Sequence, residues 1–148
     1  MLERLGKYEI LETIAAGGQG TVYRARDSES GDVVALKVMH PGHTGEVQYL
    51  EALRQEANLA SRLDHPNIVK VFDLRRIGDE YYVVMEYVDG DTVGALISRH
   101  GALPAQRAIA ITADVCTALE FSHSRGIVHL DIKPANIMVT VDGAVKVM

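Results

Sequence analysis

The stretch Val128-His129-Leu130-Asp131-Ile132-Lys133-Pro134-Ala135-Asn136-Ile137-Met138-Val139 decides how the rest of the chain is read. It sets a carboxylate, an ammonium and an amide on one short loop between apolar flanks. A carboxylate can accept a proton, a lysine can neutralise phosphate charge, and an asparagine oxygen can bind a hard cation such as magnesium. Together the three imply phosphoryl-transfer chemistry. An isolated His-x-Asp would imply little. The spacing Asp-x-Lys-x-x-Asn, with Ile127-Val128 before it and Ile137-Met138-Val139 after it, implies far more.

After the loop, residues 137–140 and 144–147 read as a small hairpin around Asp142-Gly143. Before it, Pro104 suits a first helical turn, and the helix it opens runs to about Ser124 with Gly126 just past its end. Residues 93–99 form a short helix closed by Gly101, and residues 88–91 read as a connector. Upstream the pattern changes to strands, at 8–14, 21–26, 33–39, 68–74 and 81–87, with turns at 27–32 and through Gly78-Asp79. Tyr81-Tyr82 fits a strand with one buried face. Between strands, residues 46–63 show helical spacing of Leu50, Leu53, Ala57, Ala60 and Leu63, and Asp64-His65-Pro66-Asn67 breaks that helix. A strand-rich half followed by a helical half implies an α+β fold with two lobes.

Composition agrees with a soluble globular domain, at 47% hydrophobic and 24% charged residues. Twenty acidic against fifteen basic residues leave a net charge of −5, which argues against nucleic-acid binding. The single cysteine, Cys116, can form no internal disulfide, so a reducing, cytoplasmic location fits, and its place in an apolar helical pattern suggests a core thiol. The N-terminus lacks the apolar core of a signal peptide. No apolar run approaches the roughly 20 residues of a membrane span, so no membrane contact is expected within this segment. An anchor elsewhere in a longer protein is compatible with that.

Gly17, Gly18 and Gly20 would let backbone N–H groups approach phosphate oxygens. Hairpin turns use glycines too, so the flanks decide. A dinucleotide fold needs a helix after the glycines, but Thr21-Val22-Tyr23-Arg24 is strand-like. A P-loop needs Gly-Lys-Ser or Gly-Lys-Thr, which is absent. A strand-loop-strand lid over a nucleotide remains. In the third strand Val33, Ala35, Lys37 and Met39 share a face, which puts a cation on an apolar surface. At about 100° per residue Glu56 falls inside the apolar arc of its helix, and an unpaired carboxylate there would be costly. Lys37 and Glu56 are therefore expected to pair. His40 and His43 read as loop histidines rather than metal ligands.

These residues resemble the protein-kinase family, most closely the bacterial, eukaryotic-like serine/threonine kinases. The resemblance is carried by Ile14-Ala15-Ala16-Gly17-Gly18-Gln19-Gly20-Thr21-Val22 as the glycine-rich loop and Val34-Ala35-Leu36-Lys37 as the phosphate-binding lysine strand. Glu56 matches the partner glutamate, Asp64-His65-Pro66-Asn67-Ile68-Val69 the lead into the next strand, and Met85-Glu86-Tyr87-Val88 the gatekeeper and hinge. The resemblance implies ATP and magnesium as cofactors and a protein serine or threonine hydroxyl as acceptor. It makes Asp131 the catalytic base, Lys133 the lysine near the γ-phosphate and Asn136 a magnesium ligand. Backbone groups of Glu86 and Val88 would hold the adenine edge, and Val22, Ala35 and Met138 would cover its faces. Lys133 two residues after the base favours serine/threonine specificity. The implied organisation is a partial kinase domain over 1–148. It comprises a complete β-rich N-lobe with hinge over 1–88 and, over 89–148, an incomplete helical C-lobe through the catalytic loop.

Three positions depart from the family pattern. Ala15 occupies the first glycine position. Leu130 replaces the arginine that usually precedes the base and pairs with an activation-loop phosphate, so that form of control is not expected. Val145-Lys146-Val147-Met148 leads into the Asp-Phe-Gly motif, and the sequence ends one residue before its aspartate. The sequence therefore reads as a fragment, inactive by itself, with core surface exposed on its long helix and on its last two strands. The alternative function is a non-catalytic, pseudokinase-like module that binds nucleotide or a partner. His129 is expected to brace the loop rather than carry protons.

Overall fold

The computed structural model describes residues 3–17, 20–39, 54–55, 57–78 and 80–148. Its α+β composition is that expected from the strand-to-helix change along the sequence. Contacts divide the chain into two compact units, Met1–Arg62 with Lys70–Tyr87, and Leu63–Val69 with Val88–Met148.

In the first unit, the described residues form a six-stranded sheet in the order β1-β2-β3-β4-β6-β5. The strands are β1 (Arg4–Leu5), β2 (Tyr8–Gly17), β3 (Gly20–Asp27), β4 (Val33–Met39), β5 (Val71–Ile77) and β6 (Glu80–Glu86). All neighbours are antiparallel. Alternation along β4 explains why it is central: Val34, Leu36 and Val38 point to one face, where they pack with Leu5, Tyr8, Ala25, Tyr82 and Val84. Tyr8 and Tyr82 meet edge to face, their centroids 6.2 Å apart. Burial of each large apolar side chain in this cluster is worth about 1.5–3 kcal/mol. Ala35 and Lys37 project from the opposite face.

The β3–β4 turn is closed by hydrogen bonds from Asp27 N to Asp32 O (2.8 Å) and from Gly31 N to Asp27 O (2.8 Å). The Asp27 carboxylate also takes the Lys7 ammonium at 2.8 Å. Residues 54, 55 and 57–60 are helical, and Ala57 and Leu63 are buried.

The second unit is built on α1 (Val93–His100), α2 (Ala105–His123) and a three-stranded sheet of β7 (Gly90–Thr92), β8 (Ile137–Thr140) and β9 (Val145–Val147). Thr92 caps α1 by accepting from Ala95 N at 3.0 Å, and Gly101, at φ 79°, returns its N–H to Ile97 O. Gly126, at φ 74°, ends the turn after α2. Ile111, Val115 and Ala118 of α2 pack with Val93, Ile137, Val139, Val145 and Val147.

Several expectations need correction. Cys116 is exposed, not a core thiol. Helix α2 is apolar on nearly every side, so periodicity alone could not choose its buried stripe. The core takes Ile111, Val115, Ala118 and Ser122, and Cys116 lies about 140° from Ile111 around the helix. Ile109, 69% exposed, and Ala113 join Cys116 on the outward stripe, which agrees with the exposed apolar surface expected of this helix.

The last strands, expected to lack neighbours, have them on both sides. β7 pairs with β8, and β9 meets residues 67–69. Val147 N donates to Asn67 O (2.8 Å), Val69 N to Val147 O (2.8 Å), and Asn67 Nδ2 to Val145 O (2.8 Å). The Asp64-His65-Pro66-Asn67 breaker is thus also a docking segment for β9, with the His65 ring 4.8 Å from that of Phe121. Strand β5 lies three residues later than the span 68–74 expected for it, because residues 67–69 are taken by β9.

Candidate active site

The sequence-selected residues fall into two sets, one in each unit. In the first, β2 and β3 form the hairpin that carries the glycines. Ala15 pairs with Val22 and Gly17 with Gly20. Gly18 and Gln19 lie outside the described residues, as do His40, His43 and Glu56, and with Glu56 the expected pairing to Lys37. Ile14 is exposed and lies at the shift of register between Thr13 and Ala15. A bulge of this kind increases local twist and re-aims the end of a hairpin.

Gly20 has a reason to be glycine that the sequence did not reveal. A Cβ built there would stand 2.3 Å from the Val38 carbonyl oxygen of β4. The close approach of β3 to β4 excludes a side chain at this position. By contrast, a Cβ at Gly17 would meet nothing within 4 Å among the described residues, so none of them imposes a packing demand for glycine there.

Across the sheet, two register rows define the face opposite the core. Val22 of β3 faces Lys37 of β4, which faces Val83 of β6. Two pairs further on, Arg24 faces Ala35, which faces Met85. Directly opposed residues put their side chains on the same side of a sheet. Val22, Ala35, Lys37 and Met85 therefore share one face, and Arg24 lies on it with them. Strand β6 ends at Glu86, whose N–H donates to Lys70 O (2.8 Å) and whose carboxylate accepts from Lys70 N (3.2 Å). Both bonds hold the start of the expected hinge to the residue before β5. Val88 is buried in the second unit.

The second set is the loop 129–136, and its geometry is specific. The His129 ring accepts at Nδ1 from Asp131 N (3.2 Å), so its Nε2 carries the proton and donates to the Met148 carbonyl. The ring braces the loop, as expected. Asn136 Nδ2 donates to both Asp131 O (2.9 Å) and Asp131 Oδ2 (3.0 Å). Lys133 Nζ contacts the same Oδ2 at 2.8 Å. A single 3-10 turn, Pro134–Asn136, places Asn136, and Met148 N donates to Asn136 O (2.9 Å). Met138 follows in β8, opposite Lys146 and Thr92.

These contacts keep the Asp131 carboxyl below the usual carboxylate range, chiefly through the hydrogen bond from Lys133 and next among the lowering causes through that from Asn136. Asp131 is ionised at neutral pH and can act as an acceptor. With Nδ2 of Asn136 committed to Asp131, its Oδ1 is the atom suited to a hard cation. An amide oxygen fits magnesium, which takes few protein ligands and completes its shell with water and phosphate oxygens. Among the described residues no group of three or more His, Cys, Asp or Glu side chains could form a separate metal site.

Leu130 sits between these anchors at φ 63°, the one described non-glycine residue with positive φ, and is 91% exposed. The left-handed conformation costs an ordinary residue roughly 1–2 kcal/mol. His129 on one side and Asn136 on the other hold it there. The sequence named Asn136 for a cation and missed its hold on Asp131. A histidine two residues before the aspartate was the available signal for the other brace.

A curled sheet unit that carries a lysine on its outer face, and a loop that presents a braced Asp-x-Lys-x-x-Asn set, define a phosphotransferase fold. The chain belongs to the protein kinase family: the protein kinase domain matches residues 8–148. It is 42% identical over 146 residues to serine/threonine-protein kinase PknB of Mycobacterium leprae, covering 96% of this chain and 24% of that protein. It is 40% identical over 142 residues to serine/threonine-protein kinase PrkC of Bacillus subtilis, covering 96% of this chain and 22% of that protein. The crystal structure of the Mycobacterium tuberculosis PknI kinase domain is similar with a TM-score of 0.85 at 28% identity, covering 97% of this chain and 59% of that one. The chain thus spans about a quarter of the length of these curated relatives. No described helix is long and apolar enough to cross a membrane.

Proposed function

We propose that the chain is the nucleotide-binding and catalytic-loop part of an ATP-dependent serine/threonine protein kinase. Residues 1–88 supply the nucleotide lobe and hinge, and residues 89–148 begin the catalytic lobe. The observation that carries this reading is Asp131, ionised and held at both its backbone oxygen and its carboxylate by Asn136, with Lys133 on the same oxygen.

In the reaction, a serine or threonine hydroxyl of a protein substrate would lie against Asp131. Its oxygen forms a bond to the γ-phosphorus as the bond to the β,γ-bridging oxygen breaks, and its proton passes to Asp131. Lys133 turns from Asp131 to the γ-phosphate. Lys37, with Glu56 as its expected partner, would neutralise the α- and β-phosphates, and the glycine-rich loop from Ile14 through Ala15, Gly17, Gly18 and Gly20 would offer them its backbone N–H groups. Magnesium, held at Asn136, would offset charge on the transferring group. On this reading Val22, Ala35 and Met138 are assigned to the faces of the base, Met85 to the gatekeeper position, and the backbone of Glu86 and Val88 to its edge.

Asn136 is the sole magnesium ligand this reading assigns within the 148 residues. The chain by itself is therefore proposed to bind ATP without transferring phosphate. Equilibrium binding of ATP to the purified chain tests this. Binding that weakens roughly tenfold or more in Lys37→Ala is expected, since a buried charge-assisted phosphate contact is lost. Absence of ATP binding would overturn the proposal, and phosphate transfer to a generic protein substrate would overturn the inactivity of the chain alone. A partner-binding module is the second reading. It is favoured by the outward apolar stripe Ile109, Ala113 and Cys116 of α2.

A further inference from the structure

Arg24 has no place in the reaction outlined above, yet it lies on the face of the sheet that the reading assigns to the nucleotide. Its row, Arg24–Ala35–Met85, is next to the row that contains Lys37. Among its contacts from there, two join separate parts of the first unit. Nη1 bonds Glu12 Oε1 at 2.7 Å, on the strand leading into the glycine hairpin. The guanidinium carbon also stands 5.3 Å from the centroid of the Tyr87 ring, one residue past the end of β6.

The geometry has a direction. Glu12 is fixed to Arg24 by strand register as well as by the ion pair. Tyr87, in contrast, has left the ladder: β6 pairs with β4 only as far as Glu86. A planar guanidinium stacks on an aromatic face and holds a carboxylate at the same time, which an ammonium cannot do. The laddered hairpin therefore holds the end that has left the ladder, not the reverse.

We propose that Arg24 is a positioning residue that clamps Tyr87, and with it the hinge backbone, against the Val22–Ala35 face, so that it sets the slot for the adenine base. This rests on the reading of the chain as a nucleotide-binding kinase segment. The clamp acts on the base, since the phosphates are assigned to Lys37 and the glycine loop, two register positions away. Loss of the clamp lets the hinge drift from the base and weakens the discrimination of ATP from GTP, whose base presents different edge groups to the same backbone.

The test is equilibrium binding of ATP and of GTP to the whole chain, with thermal unfolding of each nucleotide-free variant alongside. Arg24→Ala and Tyr87→Leu should weaken ATP binding roughly three- to tenfold, the size of one cation–aromatic contact, and leave GTP nearly unchanged. Tyr87→Phe keeps the ring and should bind ATP as the wild type does. Arg24→Lys keeps the charge but not the planar stack and should behave like Arg24→Ala. The double variant Arg24→Ala/Tyr87→Leu should be no worse than either single one, because both remove the same contact.

Unchanged ATP binding in Arg24→Ala and Tyr87→Leu would overturn the clamp. So would an equal loss for ATP and GTP that follows the fall in melting temperature, which would mean a structural brace only. If Arg24→Ala does not fold, Tyr87→Leu against Tyr87→Phe decides the same question. Failure of the wild-type chain to bind ATP would be a different result, since it removes the kinase reading itself.

Discussion

The two sets of candidate site residues, one in each unit, are held by different kinds of interaction. On the sheet, Lys37, Ala35, Val22 and Met85 take their places from backbone register across three strands, with a buried cluster behind them. On the catalytic loop, Asp131 has no ladder to hold it. Side chains do the positioning there, His129 to its N–H and Asn136 to its oxygens, at largely exposed positions. The sheet half should therefore tolerate changes at individual side chains and fail when strand spacing is disturbed. The loop half should respond to single polar substitutions and hardly affect global stability.

Breaking strand spacing has the largest expected effect. Gly20→Val drives a side chain into the Val38 carbonyl, 2.3 Å from the ideal Cβ, and must part β3 from β4. Overpacking against backbone costs about 3 kcal/mol. Chemical denaturation should show a loss of that size, together with loss of ATP binding. A stability equal to wild type would mean that the sheet is not held as rigidly as its register implies.

On the other side of the comparison, Asn136→Ala removes both bonds to Asp131 and should cost about 1–2 kcal/mol, felt locally. Amide exchange at residues 130–136 is the measurement. Faster exchange there, with the sheet amides unchanged, is expected. Faster exchange spread over both units would erase the distinction.

The smallest effect sharpens the same contrast. Leu130→Gly removes the left-handed penalty at φ 63°, partly offset by the greater freedom of glycine in the unfolded chain. A gain of at most about 1 kcal/mol should appear in the denaturation midpoint. A loss would show that the exposed leucine makes a stabilising contact after all.

Much of this was legible in the sequence, for reasons that differ by element. Strand β4 matches its expected span because a valine-rich apolar run from Val33 to Met39 is broken only by Lys37 and follows the turn at 27–32. The end of α1 and both ends of α2 were marked by Gly101, Pro104 and Gly126, residues whose backbone chemistry has few other uses. Strands β1 and β7 were not foreseen, since two or three residues show no period. Cys116 was misplaced because an apolar helix does not announce its inner side. In the candidate site, the sequence named residues but not the bonds between them. Asn136 reads as a cation ligand from its type, but only its position reveals that its amide nitrogen is bound to Asp131. Arg24 carried a faint signal, a cation two residues beyond Val22 on the same strand face.

The bridge from Ile68 to Val147 has a consequence for how the chain is made. The second unit opens at Leu63, is interrupted by Lys70–Tyr87 of the first, and resumes at Val88. Its earliest segment can close only on one of its last, with Asn67 and Val145 separated by 78 positions. During synthesis the first unit has all its strands once Glu86 has emerged. Residues 63–69 must wait, apolar side chains included, for some sixty residues more, through the whole interval in which α1 and α2 form. Long-range closure of this kind is slow and leaves sticky surface open meanwhile. The breaker Asp64-His65-Pro66-Asn67 then has a part in the life of the nascent chain: it keeps a short polar stretch out of the preceding helix until its partner strand arrives.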